Sequence, residues 1–375
     1  MVDITMVRSK RELREFIRFP YDLYRDDKCW VPDLYINQKA LFNKKTYPFF
    51  LHSKADLFLA WQDKKVAGRI AVIRNNNHIA YSGERCGFFG FFETNDVYEV
   101  AKALLDTAVH WTRQEGLSSL IGPENYTTND SCGILVEGFG LPPVFMMPYN
   151  KPYYQDFFEK YGFSSKLALV SYSVDSNEMN EKLARISVKA EERLNNKGIT
   201  IRPINMNSLE KELLKLRPVY NTAYKDNWGF VPLTEEEFLF QARELKKIAD
   251  PGLILFAEKG DQIIGFICAV PDINQVLIKI RNGRLLPFGL FKLIFRRKKI
   301  SNIRLLILGL PEDYRNLGID AVLYSRIYKY GRERNILTAE AAYVMENNYI
   351  MNNILKNLET TVRKRYKLYE YTIPG

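Results

Sequence analysis

Between residues 305 and 330 the hydrophobic period of the chain changes. Leu305, Leu306, Ile307 and Leu308 form an unbroken apolar run, the pattern of a strand buried on both faces. Pro311, Glu312 and Asp313 end it. From Gly318 onward Val322, Leu323, Ile327 and Tyr330 recur at helical spacing. A strand, a polar turn and an amphipathic helix in succession leave the first N–H groups of the helix unpaired, with the helix dipole behind them. That arrangement suits a phosphate or pyrophosphate.

The same kind of pattern occurs twice. Ala60, Val66, Gly68 and Ile70 stand over Ala257, Ile263, Gly265 and Ile267, each 197 positions on, and both stretches read as strand, polar turn and strand. Asn150, Phe157 and Phe158 match Asn347, Ile354 and Leu355 at the same offset. Between these anchors Arg113 and Gly116 match Arg332 and Asn335 at 219, so each half carries its own insertion of about 22 residues. The insertions fall within 124–145 and 273–301. Two similar domains are expected, 1–174 and 198–375, joined by a polar helical linker over 175–197.

The halves differ where the chemistry is expected. The second has Arg315, Asn316, Leu317, Gly318, Ile319 and Asp320 after its strand. The first runs from Gly87 to Asp96 into a helix with no arginine or glycine in the connecting loop. The second turn resembles the acyl-CoA motif of the GNAT acyltransferase superfamily, a strand followed by Arg/Gln-x-x-Gly-x-Gly/Ala at a helix start. Asp320 departs from it, placing a carboxylate where a small residue is usual. The resemblance implies an α/β fold of two tandem GNAT domains with mixed central sheets flanked by helices. It also implies acyl-CoA or acetyl-CoA as donor and no metal. Arg315 to Asp320 would hold the phosphates, and a backbone N–H at Leu308, Gly309 or Leu310 would polarise the thioester carbonyl. Asn347 opens the helix that carries the superfamily's acid, but the tyrosine of its Asn-x-x-Ala-x-x-x-Tyr pattern is absent from both copies.

An amine must lose a proton to attack a thioester. Glu340 and Glu346, six residues apart on or just after the expected strand 337–345 and on one face if that strand is regular, are the candidate catalytic bases. Two polar-aromatic loops offer substrate contacts: Tyr224, Asn227 and Trp228 in the second half, and Asn125 and Asp130 in the first. Over its whole length the chain is similar to bacterial two-domain GNAT-like proteins, some linked to N-acylation of sphingoid bases in ceramide synthesis. This implies an N-acyltransferase acting on a primary amine, including a lipid amine such as a sphingoid base. The alternatives are a small-molecule N-acetyltransferase and a non-catalytic duplicate that binds lipid or a carrier protein.

With 375 residues, 46% of them hydrophobic, the chain has ample material for two cores. Its net charge of +10 is concentrated. From 273 to 311 there is no acidic residue, while Lys279, Arg281, Arg284, Lys292, Arg296, Arg297, Lys298, Lys299 and Arg304 are basic. Leu286, Phe288, Phe291, Ile294 and Phe295 lie among them, so the segment reads less as a nucleic-acid surface than as interfacial contact with an anionic membrane. Phe291, Phe295, Arg296, Arg297, Lys298 and Lys299 are the expected contacts, with no nucleic acid as partner. An amphipathic element packed on its own domain and an acidic carrier protein are the rival readings. No apolar run approaches the roughly 18 residues of a spanning helix. The charged start lacks a signal peptide's apolar block, so the cytoplasm is expected, with membrane association through that segment. Cys29, Cys86, Cys132 and Cys268 show no metal-ligand spacing and read as free thiols.

Overall fold

The computed structural model describes residues 1–175, 181–357 and 360–374. Residues 176–180 of the expected linker, and Leu358 and Glu359 of the segment after Asn347, lie outside them. In chain order the strands are β1 Val2–Met6, β2 Lys54–Gln62, β3 Lys65–Arg74, β4 Cys86–Thr94, β5 Ser119–Gly122, β6 Ile134–Glu137, β7 Ser164–Asp175, β8 Ile199–Pro203, β9 Ile254–Lys259, β10 Gln262–Pro271, β11 Asn302–Gly309, β12 Thr338–Met345 and β13 Thr361–Thr372. The helices are α1 Lys10–Leu23, α2 Tyr35–Leu41, α3 Asn76–Ser82, α4 Tyr98–Gln114, α5 Tyr154–Tyr161, α6 Glu181–Asn196, α7 Leu209–Tyr224, α8 Glu235–Lys246, α9 Asn274–Leu277, α10 Gly289–Arg297, α11 Ile319–Arg332 and α12 Tyr349–Asn357.

Contacts divide the chain into two compact units. The first is Met1–Leu169 with Asn274–Arg297 and Lys364–Gly375, and the second is Val170–Ile273 with Lys298–Arg363. The basic, apolar insertion of the second sequence half thus belongs by its contacts to the first unit.

In the first unit the strand order is β1-β2-β3-β4-β5-β13. Every adjacent pair is antiparallel except β4 and β5, which run parallel from Cys86 opposite Ser119 to Phe88 opposite Ile121. Helix α4 covers one face, burying Val100, Ala101, Leu104, Leu105 and Ala108 at the i, i+1, i+4, i+5, i+8 spacing of a helical stripe. The second unit repeats the plan as β8-β9-β10-β11-β12, with β7 beyond β12. Its one parallel pair among the printed registers joins Asn302 to Thr338 through Leu305 to Ala341. Ile319, Val322, Leu323 and Ile327 of α11 fill its core.

The sequence repeat has a structural cause. Ala60 faces Gly68 across β2 and β3, and Ala257 faces Gly265 across β9 and β10, each pair beside a register shift. A Cβ on Gly68 would lie 2.8 Å from Leu104 Cδ1, and one on Gly265 would lie 2.5 Å from Leu310 Cδ2. Both hairpins therefore need a bare backbone at this point, where another side chain crosses them. The α/β architecture of two GNAT-like copies with mixed sheets and covering helices is present.

Candidate active site

The site is built where β11 ends. The parallel ladder with β12 stops at Leu305 and Ala341, and both strands then run four residues further, to Gly309 and Met345. Gly309 lies against the Phe266 ring, which a Cβ would approach to 2.2 Å. Its neighbours Leu308 and Leu310 pack on the core. Tyr224, the last residue of α7, donates its hydroxyl to the Leu308 carbonyl at 2.8 Å. Burial holds that hydroxyl protonated well above the usual tyrosine range. A hydrogen-bonded phenol thus stands at the strand end where the motif would place the reacting carbonyl.

Beyond the strand a short turn, Glu312–Tyr314, leads to Asn316 at φ 62° and Gly318 at φ 84°, and α11 begins at Ile319. The first helical acceptor is the Gly318 carbonyl, which takes the Val322 N–H at 3.2 Å. The N–H groups before Val322 are those a helix cannot pair internally. Gly318 meets both demands of this turn. Its φ is left-handed, and a Cβ there would lie 2.9 Å from Ala190 Cβ of α6. Helix α6, on the expected linker, packs on α11 in the same unit, with Ser187 Oγ 3.0 Å from Ser325 Oγ and Glu191 paired with Arg326. Ile319 is buried beneath the turn.

Arg315 folds over its own loop, donating to the Leu310 carbonyl at 3.3 Å and pairing with Glu312 at 3.4 Å. Asp320 occupies the first turn of α11, where a carboxylate favours the helix dipole and opposes a bound phosphate. The fit to coenzyme A is therefore mixed: the cradle is present, and one carboxylate works against it.

Strand β12 separates the two candidate bases. Tyr343 lies between them at φ 62°, which breaks the alternation expected of a regular strand. Glu340 is buried opposite Arg304 in the ladder, and its Oε1 accepts the Ser171 hydroxyl at 2.5 Å. Glu346, beyond the strand end, is exposed. The two do not share a face. Glu340 is fixed in the sheet, whereas Glu346 lies in the turn beyond it. Asn347, next to it, is exposed as well.

Sequence reasoning passed over Asn352. Its amide donates to the carbonyls of Met345, Glu346 and Asn348, and its Oδ1 accepts the Tyr172 hydroxyl at 2.6 Å. Asn352 therefore fixes the backbone that carries Glu346. The loop after Tyr224 is a pair of turns, with the Asn227 N–H on the Tyr224 carbonyl at 3.0 Å and the Phe230 N–H on the Asn227 carbonyl at 3.1 Å. Trp228 beside it is half-buried.

Asn125 and Asp130 belong to the first unit. Asn125 Oδ1 accepts the Phe91 N–H at 2.7 Å, and the Glu124 N–H donates to the Phe89 carbonyl at 2.7 Å. A Cβ on Gly90 would lie 2.2 Å from the Glu124 carbonyl oxygen. The ends of β4 and β5 are thus laced together where those of β11 and β12 part. Asp130 accepts from Thr127 at 3.0 Å and from Tyr47 at 3.2 Å. With burial as the main cause and Asp130 as the second, the Glu124 carboxyl is pushed up to about 8.

The first unit has a cavity of about 180 Å³, whose lining includes Arg69, Glu93, Asn125, Tyr154 and Trp30 among both polar and apolar neighbours. Glu93 accepts the hydroxyls of Tyr24 and Tyr154 at 2.6 and 2.7 Å. Tyr24 corresponds to Tyr224. The segments 24–32 and 224–232, Tyr-Arg-Asp-Asp-Lys-Cys-Trp-Val-Pro and Tyr-Lys-Asp-Asn-Trp-Gly-Phe-Val-Pro, match at an offset of 200. That match is the sequence signal that both tyrosines serve the end of the strand preceding the central helix. The first unit also brings ligand atoms of His78, Glu84 and Cys86 within 4.8 Å of one another, which sequence spacing does not signal. Burial pushes the Cys86 thiol up to about 12.

Over its full length the chain is related to two curated proteins. It is 32% identical to Protein YghO of Escherichia coli (strain K12) over 374 residues, covering 97% of this chain and 94% of that protein. It is 30% identical over 376 residues to the bacterial ceramide synthase of Caulobacter vibrioides (strain NA1000 / CB15N), covering 98% and 97%. The chain belongs to the family of these two proteins. The fold agrees with that of a tandem GNAT protein from the clavulanic acid biosynthesis pathway, at TM-score 0.58 and 10% identity over 100% of this chain and 99% of the other. It also agrees with a GCN5-related N-acetyltransferase from Sphaerobacter thermophilus, at TM-score 0.54 and 12% identity over 100% and 96%. No protein-family model matches the sequence. No helix among the described residues is long and apolar enough to cross a membrane.

Proposed function

We propose that this tandem GNAT protein is an N-acyltransferase whose second unit takes the acyl donor and whose acceptor is a lipid amine of the sphingoid type. The observation that carries the donor assignment is the contrast between the copies. β11 and β12 part before a turn built on Asn316 and Gly318, whereas β4 and β5 are bridged by Asn125 and Glu124. The acceptor class rests on full-length similarity to the bacterial ceramide synthase.

In this reading the N–H groups from Asn316 to Asp320 face the phosphates, with Arg315 at the edge, and the backbone of Leu308 to Leu310 lies beside the thioester. Glu346 takes the proton of the ammonium, directly or through water. The amine nitrogen then forms a bond to the acyl carbon as the carbon–sulfur bond breaks, the leaving thiolate takes a proton from Tyr224, and the second proton of the nitrogen passes through water to restore the Tyr224 hydroxyl. Trp228 and Asn227 border the acceptor, and Asn347 the donor. Asp320 favours a second reading, in which the copy binds a lipid or carrier-borne acyl group without transferring it.

Calorimetric titration of the full chain with acetyl-CoA, palmitoyl-CoA and free coenzyme A separates these readings. Saturable binding with a preference for the long chain is expected. Replacing Asp320 with glycine should tighten all three by about three- to fivefold, the size of one charge at a helix N-terminus. Absence of binding to either protein would remove acyl-CoA as donor. Equal affinity for acetyl-CoA and free coenzyme A, with none for palmitoyl-CoA, would replace the lipid reading by small-molecule acetylation.

A further inference from the structure

The segment Asn274–Arg297 is fixed firmly at its base and bare at its tip. Arg281 donates to the carbonyls of Trp30 at 2.8 Å, Tyr24 at 3.2 Å, Arg25 at 3.0 Å and Asp27 at 2.6 Å, a cation spanning one loop of the first unit. Asn274 donates to the Pro143 carbonyl at 2.9 Å, and the Tyr35 N–H donates to the Gly283 carbonyl at 2.8 Å. Lys292 closes the hairpin on the Lys279 carbonyl at 2.8 Å. Beyond these ties Leu286, Phe288, Phe291, Ile294 and Phe295 are between 57 and 74% exposed. Five large apolar side chains more than half exposed within ten residues exceed the scattered apolar exposure of an ordinary surface.

The helix orders these groups. At about 100° per residue, Leu290, Phe291, Ile294 and Phe295 occupy an arc of roughly 140°. Gly289, which is buried, and Leu293, which is half-buried, lie on the opposite side. The apolar face of α10 therefore points away from its own unit. Lys292 flanks the arc on one side and Arg297 on the other, Arg296 falls on the opposite side beside Gly289, all three cations are exposed, and no acidic residue occurs between Asp272 and Glu312.

From this geometry we infer that α10 is an interfacial anchor that docks the first unit on an anionic lipid bilayer. The cations reach the headgroups while the phenylalanines enter the acyl boundary. A second copy is a poor occupant, because a two-fold contact through this face would set its arginines and lysines against their own equivalents. The inference goes beyond the acyl-transfer reading and does not depend on it, because none of the anchor residues belongs to the donor turn.

The test is cosedimentation of the full chain with vesicles of phosphatidylcholine alone and of equimolar phosphatidylcholine and phosphatidylglycerol. The expected result is binding to the anionic vesicles only, weakening as salt is raised. Replacing Phe291 and Phe295 together with serine should lower the partition coefficient at least tenfold at unchanged net charge. Replacing Arg296 and Arg297 together with glutamine should lower it about tenfold or more. Both variants change exposed side chains only, so unchanged thermal midpoints and unchanged acyl-CoA titration are expected, which keeps this outcome separate from the fate of the donor site. Equal binding to neutral and anionic vesicles, or none to either, would overturn the anchor. So would a Phe291, Phe295 variant that binds like wild type, or a concentration-dependent dimer abolished by that variant.

Discussion

Replacing Gly318 with valine should lower acyl transfer by about a hundredfold or more, the loss expected when a binding turn is displaced by an ångström or so. Two independent constraints meet at this residue. Its φ of 84° is a conformation a β-branched side chain enters only at a cost of about 1 to 3 kcal/mol. The Cβ alone would stand 2.9 Å from that of Ala190, so the two additional methyls force either the turn or α6 to move. Loss of acyl-CoA binding by calorimetry, in a protein whose core still melts cooperatively, is the expected signature. Alanine at 318 should be intermediate, since it shares the strain and the contact but not the branched methyls. A valine variant with wild-type turnover would remove this turn from the donor site.

Tyr224→Phe should reduce kcat by about a hundredfold or more while leaving KM within a fewfold, if the hydroxyl supplies the proton for the leaving thiolate. The substitution keeps the ring stacked on Tyr220, with centroids 5.4 Å apart, and removes only the group that donates to the Leu308 carbonyl. A purely structural hydroxyl would give the opposite pattern. The thermal midpoint would fall by the few degrees that a lost hydrogen bond of about 1 kcal/mol produces, and kcat would hold. Steady-state kinetics beside a melting curve separates the two. The pH dependence adds a further readout, because burial holds the Tyr224 hydroxyl protonated across the neutral range and its contribution should not titrate there.

The parts of this molecule legible in its sequence are those fixed by short-range rules. Both hairpins appear through glycines that a crossing side chain keeps bare, Gly68 under Leu104 and Gly265 under Leu310. The donor turn appears because a run of branched residues stops at Pro311 and a helical stripe starts after Gly318. What was not legible depends on partners far apart in the chain or on backbone angles that residue type does not announce. Nothing in the name of Tyr343 signals a φ of 62°, yet that angle puts Glu340 in the sheet and Glu346 outside it. Ser171 is 169 positions from Glu340, and Tyr172 is 180 from Asn352. The bridging of β4 to β5 through Asn125 likewise shows only in three dimensions, although Asn125 itself stood out as a polar group in an aromatic loop. The basic insertion was legible as an amphipathic segment. Its attachment to the first unit rests on Arg281 and the carbonyls of a loop some 250 residues earlier, at separations of 251 to 257.

Acyl transfer to a lipid amine is tested by reconstitution of the purified chain with palmitoyl-CoA and a sphingoid base. Free thiol is followed in solution and the lipid product by mass. One N-acyl amide should form for each coenzyme A released, with acetyl-CoA a poorer donor. Thiol release without amide, or no turnover with any chain length while acyl-CoA still binds, would contradict it.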